Sequence, residues 1–83
     1  MIRTHLDLSH MIPISREKAA LIASTASRFA ATATLERDGI VLNLKSMIGM
    51  LSQSIPKDGQ IDLVLSGEDE QSALRAITDA IHR

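Results

Sequence analysis

Residues 30–44 read AATATLERDGIVLNL, and this stretch decides the fold. The dipeptide Asp38-Gly39 is the one that a two-residue hairpin turn favours, because both turn positions take positive φ. Thr and Ala alternate from residue 30 to Leu35 before the turn, which is a period-2 pattern typical of a strand. The stretch therefore predicts a β-hairpin whose return strand contains the apolar residues Ile40, Val41, Leu42 and Leu44.

Two more strands are predicted outside the hairpin. Apolar residues alternate with polar ones over residues 2–8, where Arg3, His5 and Asp7 form the polar side, so the first strand should run from Ile2 to Leu8 with one wet face. The last strand follows the Lys57-Asp58-Gly59 turn, and its apolar positions are Ile61, Leu63 and Leu65.

Three helices complete the pattern. Ser15 is a good N-cap residue before an alanine-rich stretch, so a helix should run from Ser15 to about Ser27. Ser46 is an N-cap residue for a short helix over residues 47–52, and acidic residues after Gly67 favour the start of a final helix. The predicted buried residues are Ala19, Ile22, Ala23 and Ala26 in the first helix, and Ala73, Leu74, Ile77 and Ile81 in the last.

The predicted order is β-α-β-β-α-β-α in one domain covering residues 1–83. Each apolar face must be covered by another layer, so the two long helices should lie on one face of a four-stranded antiparallel sheet. The predicted fold class is α+β, a two-layer open-faced sandwich.

Composition excludes several classes of function. The formal net charge is −1, so no overall basic field attracts nucleic acid or anionic lipid. There is no cysteine for a disulfide or a thiolate metal site, and Phe29 is the only aromatic residue available to stack on a base. No stretch approaches 18 apolar residues. We expect a cytoplasmic protein without cofactor or metal, which binds neither nucleic acid nor membrane.

Two segments carry a family resemblance. Residues 43–52, NLKSMIGMLS, and residues 67–71, GEDEQ, look like two signature segments of HPr, the small phosphocarrier of the bacterial sugar phosphotransferase system. They lie at the family's own positions, and the hairpin and the predicted element order fit as well. The resemblance covers essentially the whole chain and implies the HPr-like sandwich.

The segment before the first helix departs from the family. HPr proteins have Gly-Leu-His-Ala-Arg-Pro-Ala there, and the histidine accepts a phosphoryl group from enzyme I. The aligned residues 13–19 are PISREKA, so Ser15 stands at the histidine position, followed by Arg16, Glu17 and Lys18. A serine hydroxyl lacks the ready nucleophilicity of imidazole, its phosphate ester is a poor relay, and Glu17 repels an incoming phosphoryl group. The predicted catalytic set is therefore empty, and Ser15 is interpreted as a helix cap.

The histidines leave one alternative open. His5 on the wet face of the first strand and His82 in the last helical turn are expected to be plain surface residues. His10 lies five residues before Ser15, in a loop that can approach the same surface. A true phosphocarrier that uses His10 is the alternative to a protein without carrier activity.

The resemblance also assigns regulatory and docking residues. Ser46 matches the serine that HPr kinase/phosphorylase modifies, and a phosphate there would lie at a helix N-terminus beside Lys45. The residues that match the family's partner-docking patch are Met47, Ile48 and Leu51, and Lys45 is expected to take part in docking beside them. The residue that matches Met50 turns inward in the family. A short helix with four apolar residues cannot bury them all against one sheet, so some must be exposed. The resemblance is to the Crh branch, which lacks the histidine and keeps the serine.

The implied partners are proteins: HPr kinase/phosphorylase, a CcpA-like regulator, or enzyme I. The function that this implies is carbon catabolite regulation through phosphorylated Ser46 and protein docking. An HPr-fold binding module for another partner is the further alternative.

Overall fold

A computed structural model describes residues 1–52 and 55–83. Its elements follow the predicted order, with one added 3₁₀ turn at Ser9–Met11. The strands are β1 (Ile2–Asp7), β2 (Thr32–Arg37), β3 (Ile40–Asn43) and β4 (Gln60–Ser66), and the helices are α1 (Arg16–Ser27), α2 (Met47–Ser52) and α3 (Glu70–His82).

The four strands form one sheet in the order β1-β4-β2-β3, and every neighbouring pair is antiparallel. The hairpin forms as predicted: Arg37 pairs with Ile40, and Asp38 and Gly39 take φ values of 47° and 87°. Crossovers bring the first and last strands together, and Leu6 of β1 lies opposite Ile61 of β4. The predicted fold class is confirmed.

The core lies between one face of the sheet and the two long helices. The four residues predicted for the buried stripe of α1 are all buried, and Thr25 is buried with them. In α3, Ala73, Ile77 and Ile81 are buried as predicted, whereas Leu74 is partly buried at the edge of the core. The other face of the sheet is open, so its polar residues pair with one another: Arg3, His5, Glu36 and Asp62.

The second strand begins later than the alternation of Thr and Ala predicts. The strand starts at Thr32 and continues to Arg37. The amides of Ala30 and Ala31 donate to the carboxylate of Asp69, both at 2.8 Å, instead of to a neighbouring strand. These bonds hold the pKa of Asp69 below its usual value. A contact between residues distant in sequence therefore sets this strand boundary.

None of the described helices is long and apolar enough to cross a membrane.

Candidate functional site

The first turn of α1 is built around Ser15. The backbone of Ser15 is extended, and its Oγ accepts a hydrogen bond from the amide of Lys18 at 3.1 Å. This is the N-cap arrangement, in which a side-chain oxygen satisfies an amide that has no partner inside the helix. The predicted capping role of Ser15 is confirmed.

Lys18 joins this turn to the end of α3. Its side chain is half-buried, and Nζ donates to the carbonyl oxygens of Ala80 at 3.1 Å, Ile81 at 3.3 Å and Arg83 at 2.9 Å. The last carbonyls of a helix have no partner within the helix and carry its negative dipole end, so an ammonium group there is stabilising. Lys18 thus makes two caps: its amide completes the start of α1, and its amine covers the end of α3.

His10 lies at the same place. Its Nε2 is 3.3 Å from the carbonyl oxygen of Ile81, and its ring stacks on that of His82 with the centroids 5.5 Å apart. A carbonyl oxygen only accepts, so Nε2 is the donor, and Nδ1 makes no hydrogen bond to a residue that the structure describes. His10, Ser15 and Lys18 line one open cavity of about 260 Å³. His10, the alternative phosphoryl acceptor suggested by the sequence, therefore lines the same cavity as Ser15, the N-cap of α1.

Ser46 begins α2 in the way that Ser15 begins α1. Its Oγ accepts from the amide of Gly49 at 3.0 Å, and its carbonyl accepts from Met50. A Cβ on Gly49 would lie 3.3 Å from Ser46 Oγ, so the glycine leaves space around this hydroxyl. The ammonium of Lys45 donates to the carbonyl of Phe29 at 2.8 Å. Lys45, which lies between the hairpin and α2, therefore links the start of α2 to the backbone just after α1.

The apolar residues of α2 divide between the core and the surface. Met50 is buried at 2% exposure, whereas Ile48 is 76% exposed and Leu51 is 42% exposed. Met47 is partly buried and packs against the core. The prediction that α2 cannot bury all of its apolar residues is confirmed, and so is the inward direction of Met50. We call Met47, Ile48 and Leu51 the α2 patch.

Three more residues named from the sequence, His5, Arg16 and Glu17, are exposed. His5 is exposed on the open face of the sheet, where it bonds Gln60 and lies 3.2 Å from Asp62. The bonds to Gln60 and then Asp62 raise the pKa of His5 above its usual 6.5. Arg16 and Glu17 are exposed in the first turn of α1 and make no ion pair with a residue that the structure describes.

Comparison with known proteins gives the family. A family model described as the PTS HPr component phosphorylation site matches residues 14–83, which include both helix caps and the α2 patch. The chain belongs to the HPr family. HPr-like protein Crh of Bacillus subtilis (strain 168) is 31% identical over 77 residues, covering 93% of this chain and 91% of that protein.

Two further matches cover nearly the whole HPr domain. HPr-like protein Crh of Halalkalibacterium halodurans is 30% identical over 83 residues, which are 100% of this chain and 99% of that protein. The crystal structure of HPr-C-His from Thermoanaerobacter tengcongensis superposes with a TM-score of 0.84 at 28% identity, covering 99% of this chain and 92% of that one. The chain is therefore an HPr-like protein of the Crh type.

The structural roles of two residues of this HPr site, Lys18 and Gly49, were not predicted from the sequence. The cap that Lys18 places on α3 joins residues 62 positions apart in the chain, and no local pattern reveals it. The space that Gly49 leaves beside Ser46 has a local signal, since a residue three positions after an N-cap faces the capping oxygen. Members of this family act with other proteins of the phosphotransferase system and are not enzymes in themselves.

Proposed function

We propose that this protein is a regulatory HPr-like protein of the carbon catabolite network. It docks other proteins through the α2 patch, is phosphorylated on Ser46, and does not carry phosphohistidine. The observation that carries the proposal is the hydroxyl of Ser15, which occupies the phosphocarrier position and accepts the Lys18 amide at 3.1 Å.

The chemistry at position 15 opposes a phosphoryl relay. A serine hydroxyl needs a general base to become a nucleophile, and among the described residues that line this cavity the only imidazole is that of His10. A phosphoserine would also be a stable ester that does not hand its phosphoryl group onward. The ammonium of Lys18 is bonded to three carbonyl oxygens at the end of α3, so it is not free to pair with a phosphoryl group on Ser15.

Ser46 has the better setting for a phosphate. HPr kinase/phosphorylase would transfer the γ-phosphoryl group of ATP to Oγ, adding a charge of about −1.5 to −2 at the start of α2. The amide of Gly49 already points at this oxygen, and the helix dipole favours an anion there. The modification would change the surface next to Ile48 and Leu51 without unfolding the helix. That is the effect a docking switch for a CcpA-like regulator requires.

Two phosphorylation reactions test the proposal. Enzyme I with phosphoenolpyruvate should give no acid-labile phosphate, whereas an HPr with the histidine, run in parallel, should be labelled. HPr kinase with ATP should give one acid-stable phosphate, which Ser46→Ala removes and Ser15→Ala retains. Mass spectrometry locates the phosphate. A phosphate mapped to Ser15, or none at Ser46, contradicts the regulatory role.

Restoring the family's motif tests the loss of carrier activity from the other side. The variant with Ser15→His, Glu17→Arg and Lys18→Pro should accept a phosphoryl group from enzyme I if the α2 patch still docks that enzyme. Circular dichroism first checks that the variant folds. A folded but inert variant would mean that the docking surface no longer fits enzyme I.

A phosphocarrier that uses His10 is the second candidate. The contact of His10 Nε2 with Ile81 and the place of His10 in the cavity with Ser15 favour it. In that case enzyme I would label the protein with acid-labile phosphate, and His10→Gln would abolish the label. His82→Gln is the matched control, because His82 is the stacking partner of His10 and does not line the cavity.

A further inference from the structure

A pair of histidines lies at the end of α3. His10 belongs to the 3₁₀ turn before α1, and His82 is the last residue of α3. Both side chains are exposed, and their rings are nearly parallel, with an interplanar angle of 12° and centroids 5.5 Å apart. The fold therefore brings together two imidazoles that are far apart in the sequence, so no local spacing motif marks the pair.

Each imidazole of this pair is held by a backbone carbonyl of α3. His10 Nε2 lies 3.3 Å from the carbonyl oxygen of Ile81, and His82 Nδ1 lies 2.8 Å from that of Thr78. A carbonyl oxygen only accepts, so in the neutral rings these two nitrogens carry the protons. The other nitrogens, Nδ1 of His10 and Nε2 of His82, then have free lone pairs and make no hydrogen bond to a residue that the structure describes.

This arrangement is the one that metal-binding histidines adopt. A histidine ligand usually donates its second ring N–H to a carbonyl or a carboxylate, which fixes the tautomer and raises the basicity of the coordinating nitrogen. Neutral imidazole nitrogen suits Zn²⁺, Ni²⁺ and Cu²⁺, whereas Mg²⁺ prefers oxygen ligands. His5 differs from the pair, because both of its ring nitrogens already lie within hydrogen-bond distance of a side chain, Asp62 or Gln60.

The charged groups around the pair are compatible with a bound cation. The Lys18 ammonium lies on the donating side of His10, since both bond the same carbonyl oxygen of α3. The guanidinium of Arg83 is paired with Asp79 at 3.2 Å. Hydrogen bonds from the 3₁₀ turn that follows hold the pKa of Asp7 below its usual value, and the nearby His10 lowers it further. A carboxylate therefore lies close enough to His10 to favour positive charge there.

We infer that His10 Nδ1 and His82 Nε2 bind one divalent transition-metal ion of the class of Zn²⁺, Ni²⁺ and Cu²⁺. Within the described residues no group of three or more His, Cys, Asp or Glu side chains could hold a metal, so this is a two-ligand site in which water completes the coordination. A zinc–nitrogen bond is about 2.0–2.1 Å, so the two exposed rings close on the ion. The inference does not depend on the function proposed above.

Titration of the untagged chain with Zn²⁺ tests this site. Calorimetry at neutral pH should show one ion bound per chain, and Mg²⁺ should not bind. His10→Gln and His82→Gln should each weaken Zn²⁺ binding at least about tenfold, because loss of a residue behind a ligand already costs about 10–100-fold. His5→Gln is the matched control and should bind as the unaltered chain does. Unchanged affinity in either variant of the pair would overturn the inference.

Two further measurements locate the ion. In ¹⁵N NMR, Zn²⁺ should shift Nδ1 of His10 and Nε2 of His82 and leave the ring of His5 unchanged, and a shift at only one ring of the pair would contradict the site. Zn²⁺ should also raise the urea midpoint of the unaltered chain and of His5→Gln, but not of the two pair variants.

Stoichiometry and pH exclude the alternatives. Half an ion per chain would assign the metal to an interface between two copies and overturn the inference. Acid protonates imidazole, so binding should be lost at about pH 5, and binding that persists there would mean that carboxylates hold the ion instead.

Discussion

Lys18→Met should destabilise the fold, because the carbonyl oxygens at the end of α3 lose the ammonium group that bonds them. Methionine keeps the unbranched stem and has a helix propensity close to that of lysine, so the substitution removes mainly the charge and the three bonds to the carbonyls of Ala80, Ile81 and Arg83. The amide of residue 18 is unchanged, so the cap that Ser15 provides stays in place.

The size of the effect follows from the geometry. A hydrogen bond to a charged group contributes about 1.5–3 kcal/mol, and a cation at a helix C-terminus adds about 0.3–1 kcal/mol. Lys18 is only half-buried, so water replaces part of the loss when the ammonium is removed. The expected destabilisation is about 1–2 kcal/mol. With a urea m value of about 1 kcal/mol per M, the unfolding midpoint should fall by about 1–2 M.

Urea unfolding followed by circular dichroism measures this difference. Arg75→Met is the control, because Arg75 is exposed on α3 and makes no side-chain bond to a residue that the structure describes; its effect should stay within about 0.5 kcal/mol. Hydrogen exchange should also become faster in the last turn of α3. If Lys18→Met unfolds at the same urea concentration as Arg75→Met, the Lys18 amine does not stabilise α3.

The other predictions concern the caps, a turn and a histidine. Ser46→Ala should cost about 1 kcal/mol in urea unfolding, because the Gly49 amide loses its acceptor. Gly59→Ala should destabilise more than Gly39→Ala: both glycines have positive φ, but only a Cβ on Gly59 meets backbone, 2.7 Å from Ser9 Cα. NMR titration should show a pKa for His5 above 6.5, and this pKa should fall in the variant Asp62→Asn. Because the folded state raises this pKa, protonated His5 contributes its full stabilisation below pH 6.5, and the contribution is lost as pH rises through the folded pKa.

Local signals account for what the sequence predicted well. The serine caps determined the starts of α1 and α2, and the hairpin dipeptide determined the turn, because each depends on hydrogen bonds or dihedral angles within a few residues. The limited area that a short helix can bury predicted that some apolar residues of α2 are exposed, and the family resemblance predicted that Met50 is the one turned inward.

Contacts between distant residues account for what it missed. The carboxylate of Asp69 accepts hydrogen bonds from the amides of Ala30, 39 positions away, and Ala31, 38 positions away. The second strand therefore begins after Ala31. Lys18 reaches the end of α3 in the same way, across 62 positions of the chain. Such contacts depend on how the helices and strands pack, so they cannot be predicted from residue periodicity.

The two caps made by Lys18 explain why positions 15 and 18 depart from the HPr motif together. A proline at position 18 has no amide to donate, so it suits a first turn in which residue 15 is not a capping serine. Here Ser15 needs the amide of residue 18, and α3 needs the amine of the same residue. Ser15→His alone would leave the amide of Lys18 without its acceptor. Lys18→Pro alone would remove that amide, and it would also remove the amine that bonds the carbonyls at the end of α3. The costs of the two substitutions should therefore be less than additive, because the bond between them can be lost only once.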